Sequence, residues 1–479
     1  MKRFDSLPVL LLTLAIAAPV PAQTVISDDD TILKQIIIFG RHGVRTPSLS
    51  QTQFAVYSPR PYPDDFVPSR VGYLTVHGQQ AEVLLGAYYR DYLLTERLLT
   101  GDNAKDLPLS YFRANSIQRS NLTAAMLGSG LFAGATVPVH SYALGPQAPT
   151  PSQGDQPGQP DPVFDPILAK VAMVDPVRAA NEVQGIYNSG TALASAYSVE
   201  FSLTRSVLFN YQNGVQPPPA TPAGVTDPTT QPIPLAAVTT GVLYTGNVVD
   251  QGGITAMENA NDPLVMEYTA GLSLTEVGWG QLSLDTLSQT TRIITLNEAI
   301  AFRTPYLARV QSSNAAAHIL RSMKQAVIGE AVPGAFSGAA PTGFTSNVLV
   351  VISSDVYVSG LAGLLQMHWQ LPGYQPDFCP PGGDLVFELR QSRDSGEYLV
   401  RAYYTAQSFD QLRNLTPLTL NAPPETIQLL IPGGSKPGAG FDVKFETFQK
   451  LLTKAIGWEY VQDPRTEVPP GVLAKVPLQ

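Results

Sequence analysis

The fold this sequence predicts is α/β: a three-layer α/β/α domain on a mostly parallel central sheet, with a smaller, mainly helical domain inserted into it. Three observations carry that expectation. Apolar, β-branched runs at residues 34–39, 109–112 and 348–352 read as buried strands. Periodic segments at 76–100, 116–131, 285–304 and 307–328 are long enough to be helices covering a sheet. Between these groups, residues 146–290 hold helix-like stretches at 162–180, 182–208 and 256–271 without a convincing set of strands. Strands that alternate with helices pair in parallel because the helix carries the chain back to its starting end. The expected division is residues 1–22 as a leader, 23–145 with 291–479 as the α/β domain, and 146–290 as the insertion.

The first element in the chain is the leader. Lys2 and Arg3 precede an apolar stretch over residues 7–20, and Val20-Pro21-Ala22 supplies the small residues expected at a cleavage site before Gln23. This predicts export to a periplasmic or secreted location, and no other segment approaches the length needed to span a membrane. The net charge is −9; a leader carrying Lys2, Arg3 and Asp5 contributes +1, so the mature chain sits at −10. An acidic chain with 14% charged residues is a poor general binder of nucleic acid or anionic lipid. Any anion site must therefore be a local basic pocket. Cys379 is the single cysteine, which excludes a disulfide within the chain, and the five histidines are scattered without ligand spacing, so no metal or cofactor is expected.

The strand at 34–39 runs straight into Arg41-His42-Gly43-Val44-Arg45-Thr46-Pro47. A histidine between two arginines at the end of a buried strand suits phosphoryl chemistry. Guanidiniums hold a phosphate in forked geometry while the imidazole attacks it. The strand at 109–112 is followed by Arg113 and then Arg119 at the opening of a helix, where side chain and helix N-terminus can both face an anion. The strand at 348–352 ends in Ser353-Ser354-Asp355. Ligands in open α/β sheets bind beyond the carboxyl ends of the strands, so these three clusters should meet in space. Segments 145–162 and 216–234, rich in Pro, Gly, Gln and Thr, read as surface loops.

The string RHGVRTP resembles the signature of the histidine acid phosphatases, a branch of the histidine phosphatase superfamily. Residues 350–388 resemble the carboxyl-terminal part of bacterial periplasmic members, including phytases and glucose-1-phosphatases. Gly72 to Gly78 is similar to the family's G-x-L-T-x-x-G, and Asp161-Pro162-Val163-Phe164-Asp165-Pro166 to a D-P-x-F-x-P segment. The resemblance implies a phosphohistidine formed on His42, phosphate ligands at Arg41, Arg45 and Arg119, a proton donor at Asp355, and no cofactor. The family closes its third strand with a His-Asp pair. Here Ser354 stands where the histidine should be, able to donate one neutral hydrogen bond to the phosphate. Ser48-Leu49-Ser50 stand where bacterial phytases carry a lysine.

The expected activity is thus hydrolysis of a small-molecule phosphomonoester by an exported, metal-independent enzyme. The alternative is a catalytically weak phosphoester-binding or sensing protein of the same fold, with Ser354 marking the loss.

Overall fold

The computed structural model describes residues 30–67, 70–115, 117–141, 161, 163–165, 174–209, 221–238, 248–336, 347–435 and 440–462. The leader, most of 145–162 and parts of the 216–234 and 162–180 segments lie outside the described residues. The strands are β1 (Thr31–Arg41), β2 (Ser110–Ala114), β3 (Val139–His140), β4 (Ala236–Ala237), β5 (Val249–Asp250), β6 (Val348–Ser353), β7 (Asp384–Ser392), β8 (Tyr398–Ala406), β9 (Glu425–Gln428) and β10 (Val443–Lys444). Eight of them form one sheet in the order β10-β8-β7-β1-β6-β2-β3, with β9 also paired to β8; β4 and β5 form a small separate hairpin.

The run Ile36-Ile37-Ile38-Phe39 is apolar throughout because β1 is covered on both faces. Successive side chains of a strand point to opposite sides. Ile36 and Ile38 pack with Leu85, Tyr89, Leu127 and Leu131 from helices Val76–Thr95 and Gln118–Leu131. Ile37 and Phe39 pack into a larger core with Ala316, Leu320, Val358 and Phe448, from helices Pro305–Ile328, Asp355–Leu365 and Phe445–Ala455. This is the expected three-layer arrangement. Strand β1 pairs in parallel with β6, and β6 in parallel with β2, so the three strand ends flagged by the sequence emerge on one edge. On its other side β1 is antiparallel to β7, which continues antiparallel into β8.

Helices dominate the described residues between 174 and 298. The stretch expected as one helix over 182–208 is three, Pro176–Tyr187, Gly190–Ala196 and Ser198–Phe209. Asn188 at φ 68° ends the first, and Ser189 caps the second by accepting from the Ala192 N–H.

Beneath the turn that follows β1 lies a pair of buried carboxyls. A Cβ on Gly43 would sit 2.4 Å from Glu82 Oε1, and one on Gly40 would sit 2.1 Å from Asp384 Oδ1, so glycine is required at both positions. Burial pushes Asp384 from its ordinary 3.8 to about 7, against the opposing hydrogen bond donated by Tyr89. Burial, reinforced by Asp384, also raises Glu82. A raised carboxyl stabilises the fold fully below its unfolded value, and that contribution is lost as pH rises through the folded value. For Asp384 the window is pH 4 to 7, and the loss is at most about 4 kcal/mol. Asp384→Asn keeps an acceptor for Tyr89 and cannot ionise. Its thermal midpoint should exceed that of wild type at pH 8, with the gap closing at pH 4. An equal gap at both values would contradict this assignment.

Candidate active site

The sheet brings the predicted residues together at the carboxyl ends of β1, β6 and β2. His42 follows β1 directly, and its backbone N–H donates to the Ser353 carbonyl at the end of β6 at 2.9 Å. The Gly382 N–H returns to the His42 carbonyl at 3.1 Å, so the residue is fixed from both sides. The ring is buried at 1% exposure, and Nδ1 lies 2.9 Å from the Gly43 carbonyl. A carbonyl can only accept, so Nδ1 carries the hydrogen and Nε2 keeps its lone pair. Burial holds the imidazole well below its ordinary value, and Arg119, Arg41 and Arg45 reinforce this, against the opposing Gly43 hydrogen bond. His42 is therefore a neutral ring with one free nitrogen among cations.

The three arginines are buried, at 2%, 7% and 6% exposure for Arg41, Arg45 and Arg119. Their geometry is set by neighbouring backbone and acids. Arg41 donates through Nη1 to the Cys379 carbonyl, and its Nη2 lies 2.8 Å from Asp355 Oδ2 and 3.7 Å from Asp262 Oδ1. Arg45 donates to Asp262 Oδ2 at 2.9 Å and to the Thr46 carbonyl at 3.1 Å. Arg119, in the first turn of its helix, reaches the Gly72 carbonyl at 3.3 Å.

The turn after β1 is laced to residues 72–75: the Thr46 N–H donates to Tyr73 O at 2.8 Å, and both the N–H and Oγ1 of Thr75 reach Val44 O at 3.0 Å. Thr75 also caps the Val76–Thr95 helix by accepting from the Gly78 N–H, and a Cβ on Gly78 would sit 2.2 Å from Val44 O. Gly72 itself is at φ 72°, in the left-handed region that favours glycine.

Ser354 is the N-cap residue of the Asp355–Leu365 helix, yet its side chain makes no capping hydrogen bond. Asp355 is the first helical residue. Its Oδ1 accepts from the Val356 N–H at 3.0 Å, and its Oδ2 takes Arg41. Arg113, flagged beside Arg119, is used elsewhere: it donates to Asp161 Oδ1 at 2.5 Å and lies over the Phe164 ring.

Sequence reasoning missed the acids. Asp262 bridges Arg41 and Arg45 from the Gly253–Thr269 helix, just before Pro263, whose missing N–H interrupts the helical ladder there. Glu258 lies one turn earlier on the same helix. Glu298, the last residue of the Leu284–Glu298 helix, is buried and accepts from Ser359. Burial first, then Asp262 and Asp355, raise Glu258; burial and Asp355 raise Glu298. The only signal available was the spacing of Glu258 and Asp262 by four residues in a largely apolar helix.

No family model matches the chain. It is 25% identical over 460 residues to phytase AppA of Escherichia coli, covering 93% of this chain and 98% of that protein. It is 24% identical over 454 residues to a glucose-1-phosphatase of Providencia rettgeri, again covering 93% and 98%. Among solved structures, the Klebsiella sp. ASR1 phytase shares the fold at TM-score 0.72 and 22% identity, covering 92% of this chain and 100% of that one. An apo Hafnia alvei phytase does so at TM-score 0.72 and 24% identity, covering 91% and 100%. Near full-length similarity to these phosphatases, together with an RHGVRTP turn at the sheet edge, supports placing the chain with the histidine acid phosphatases.

Proposed function

We propose that the protein is an exported phosphomonoesterase working through a phosphohistidine on His42. The observation that carries this reading is the neutral His42 ring, its Nδ1–H spent on Gly43 O and its Nε2 lone pair left beside three arginines. Arg41, Arg45 and Arg119 hold the phosphate oxygens, and Nε2 attacks phosphorus in line with the departing ester oxygen. Asp355 supplies the proton to that oxygen, and in the second step takes one from the water that cleaves the P–N bond. The arginines stabilise the charge on the transferring group. Residues 41–47 and 354–355 also support hydrolysis over mere binding, since nucleophile and acid are both present. A screen of phosphomonoesters on purified protein tests this: turnover of at least one ester without added metal is expected, and tight binding of phosphate esters without turnover would favour the sensing alternative.

Phytate is not the favoured substrate, although relatives are phytases. The segment holding Ser48 to Ser50 offers no cation, and Ser50 is engaged in a capping box with Gln53. Export rests on the leader sequence, and among the described residues no helix is long and apolar enough to cross a membrane.

Ser354 is free of capping duty, so its hydroxyl is available to a phosphate oxygen. Ser354→His adds a donor that is cationic when protonated. Losing a transition-state donor costs about a hundredfold to a thousandfold elsewhere. The substitution should raise turnover on simple esters, by less than that range because the neighbours are adapted to serine. No gain in a folded variant would mean the pocket is built around serine.

A further inference from the structure

Asp161, Phe164 and Asp165 have no part in the chemistry above, yet all three are buried against the sheet edge that carries the site. Asp161 Oδ1 accepts from Arg113 at the end of β2 at 2.5 Å and from the Val163 N–H at 2.9 Å. Asp165 Oδ2 accepts from the Asp161 N–H at 2.6 Å, and the Asp165 carbonyl accepts from Asn314 Nδ2 on the Pro305–Ile328 helix at 2.9 Å. The Phe164 ring lies 6.1 Å from that of Phe39 on β1, with the Arg113 guanidinium over it. Phe39 and Arg113 both stand opposite Val351, two residues before Ser353. These three residues are thus pinned to the ends of β1 and β2 and to a core helix.

Tyr357 is held against them. Its hydroxyl donates to Asp165 Oδ1, and its ring lies 5.4 Å from that of Phe164. Tyr357 stands in the first turn of the Asp355–Leu365 helix, where its N–H donates to the Ser354 carbonyl at 3.1 Å. The Ser354 side chain does not cap that turn, and Asp355 spends its own oxygens on the Val356 N–H and Arg41. The Tyr357 hydroxyl therefore gives the turn a fixed point besides Arg41, while Ser359, one turn on, is bound to Glu298.

The position of this turn bears on one step of the reaction. A proton donor must come within hydrogen-bond distance of the departing oxygen, which lies across phosphorus from His42 Nε2. Misplacing a reacting group by about 1 Å can cost about a hundredfold.

Resting on the reading of Asp355 as that donor, we propose that Asp165 and Tyr357 are positioning residues for it: the hydrogen bond between them sets where Asp355 meets the leaving oxygen. Phosphate binding belongs to the arginines, and His42 is fixed separately by the backbone bonds it makes with Ser353 and Gly382. The pair therefore acts on proton delivery and leaves phosphate affinity and nucleophilic attack alone. A pair that merely stabilised the fold would lower turnover of every ester alike.

The test uses glycerol 2-phosphate, a poor leaving group that needs the proton, and 4-nitrophenyl phosphate, a good one that needs little. Tyr357→Phe keeps the ring on Phe164 and removes the hydroxyl. Its kcat on glycerol 2-phosphate should fall about tenfold with KM within about twofold of wild type, and kcat on 4-nitrophenyl phosphate should change less than about twofold. Inhibition by inorganic phosphate should be unchanged. Asp165→Ala should show the same contrast, and the double variant should lose no more than either single one, because both remove one bond. Equal losses on the two esters in Tyr357→Phe, or losses that multiply in the double variant, would overturn the proposal. Should Asp165→Ala fail to fold, the contrast between esters in Tyr357→Phe decides alone. Asp355→Asn separates the two levels: without a contrast between esters there, the acid assignment falls and this proposal with it, whereas a contrast there and none in Tyr357→Phe removes the positioning role alone.

Discussion

His42→Ala should lower kcat on 4-nitrophenyl phosphate by a thousandfold or more while leaving the fold in place. The imidazole is the nucleophile in this account, and neither a water nor a neighbouring side chain can replace a covalent intermediate formed at Nε2. Little stability depends on it. The ring's visible contribution to the fold is one hydrogen bond to Gly43 O, worth about 1 kcal/mol, and the position of the turn is held by the backbone bond that His42 donates to Ser353 and the one it accepts from Gly382. Activity assays and thermal melts together check the prediction, and turnover within a few fold of wild type would exclude His42 as nucleophile.

The second large effect is expected at Asp355. Asparagine keeps an oxygen for the Val356 N–H but can neither carry the proton nor neutralise Arg41. Turnover of glycerol 2-phosphate should drop about a hundredfold to a thousandfold, in the range general acids contribute. The loss on 4-nitrophenyl phosphate should be about tenfold or less, because its leaving group needs little protonation. A uniform loss on both esters would reduce Asp355 to an anchor for Arg41.

How much of this was legible in the sequence depended on how the residues are distributed along the chain. Arg41, His42 and Arg45 are nearly consecutive and follow an apolar strand, so their location at the sheet edge could be read directly. Ser354-Asp355 could be placed for the same reason. Asp262, Glu258 and Glu298 could not, since each belongs to a helix far away in sequence and becomes part of the site only when the helices pack over the sheet edge. Arg113 misled because a strand-end arginine looks alike whether it meets a ligand or, as here, Asp161.

The antiparallel half of the sheet was hidden by its own charges. Strand β7 carries Glu388 and Arg390 two residues apart, hence on one face, and both are buried. They pair with each other at 2.7 Å, and Glu96, Tyr92 and Tyr403 complete the network. Such a strand does not read as core until its partners are known. The helix expected over 285–304 likewise ends sooner, at Glu298, with a π-helical turn over Ala299–Arg303 before Pro305 opens the next helix.

The central claim is the covalent intermediate, and rapid acid-free quenching of the enzyme with radiolabelled phosphomonoester addresses it most directly. The account predicts label on the peptide containing His42, stable to alkali and lost in acid as a phosphohistidine requires, and absent from His42→Ala. Label that fails to appear while wild type turns the same ester over, or that survives acid, would contradict it.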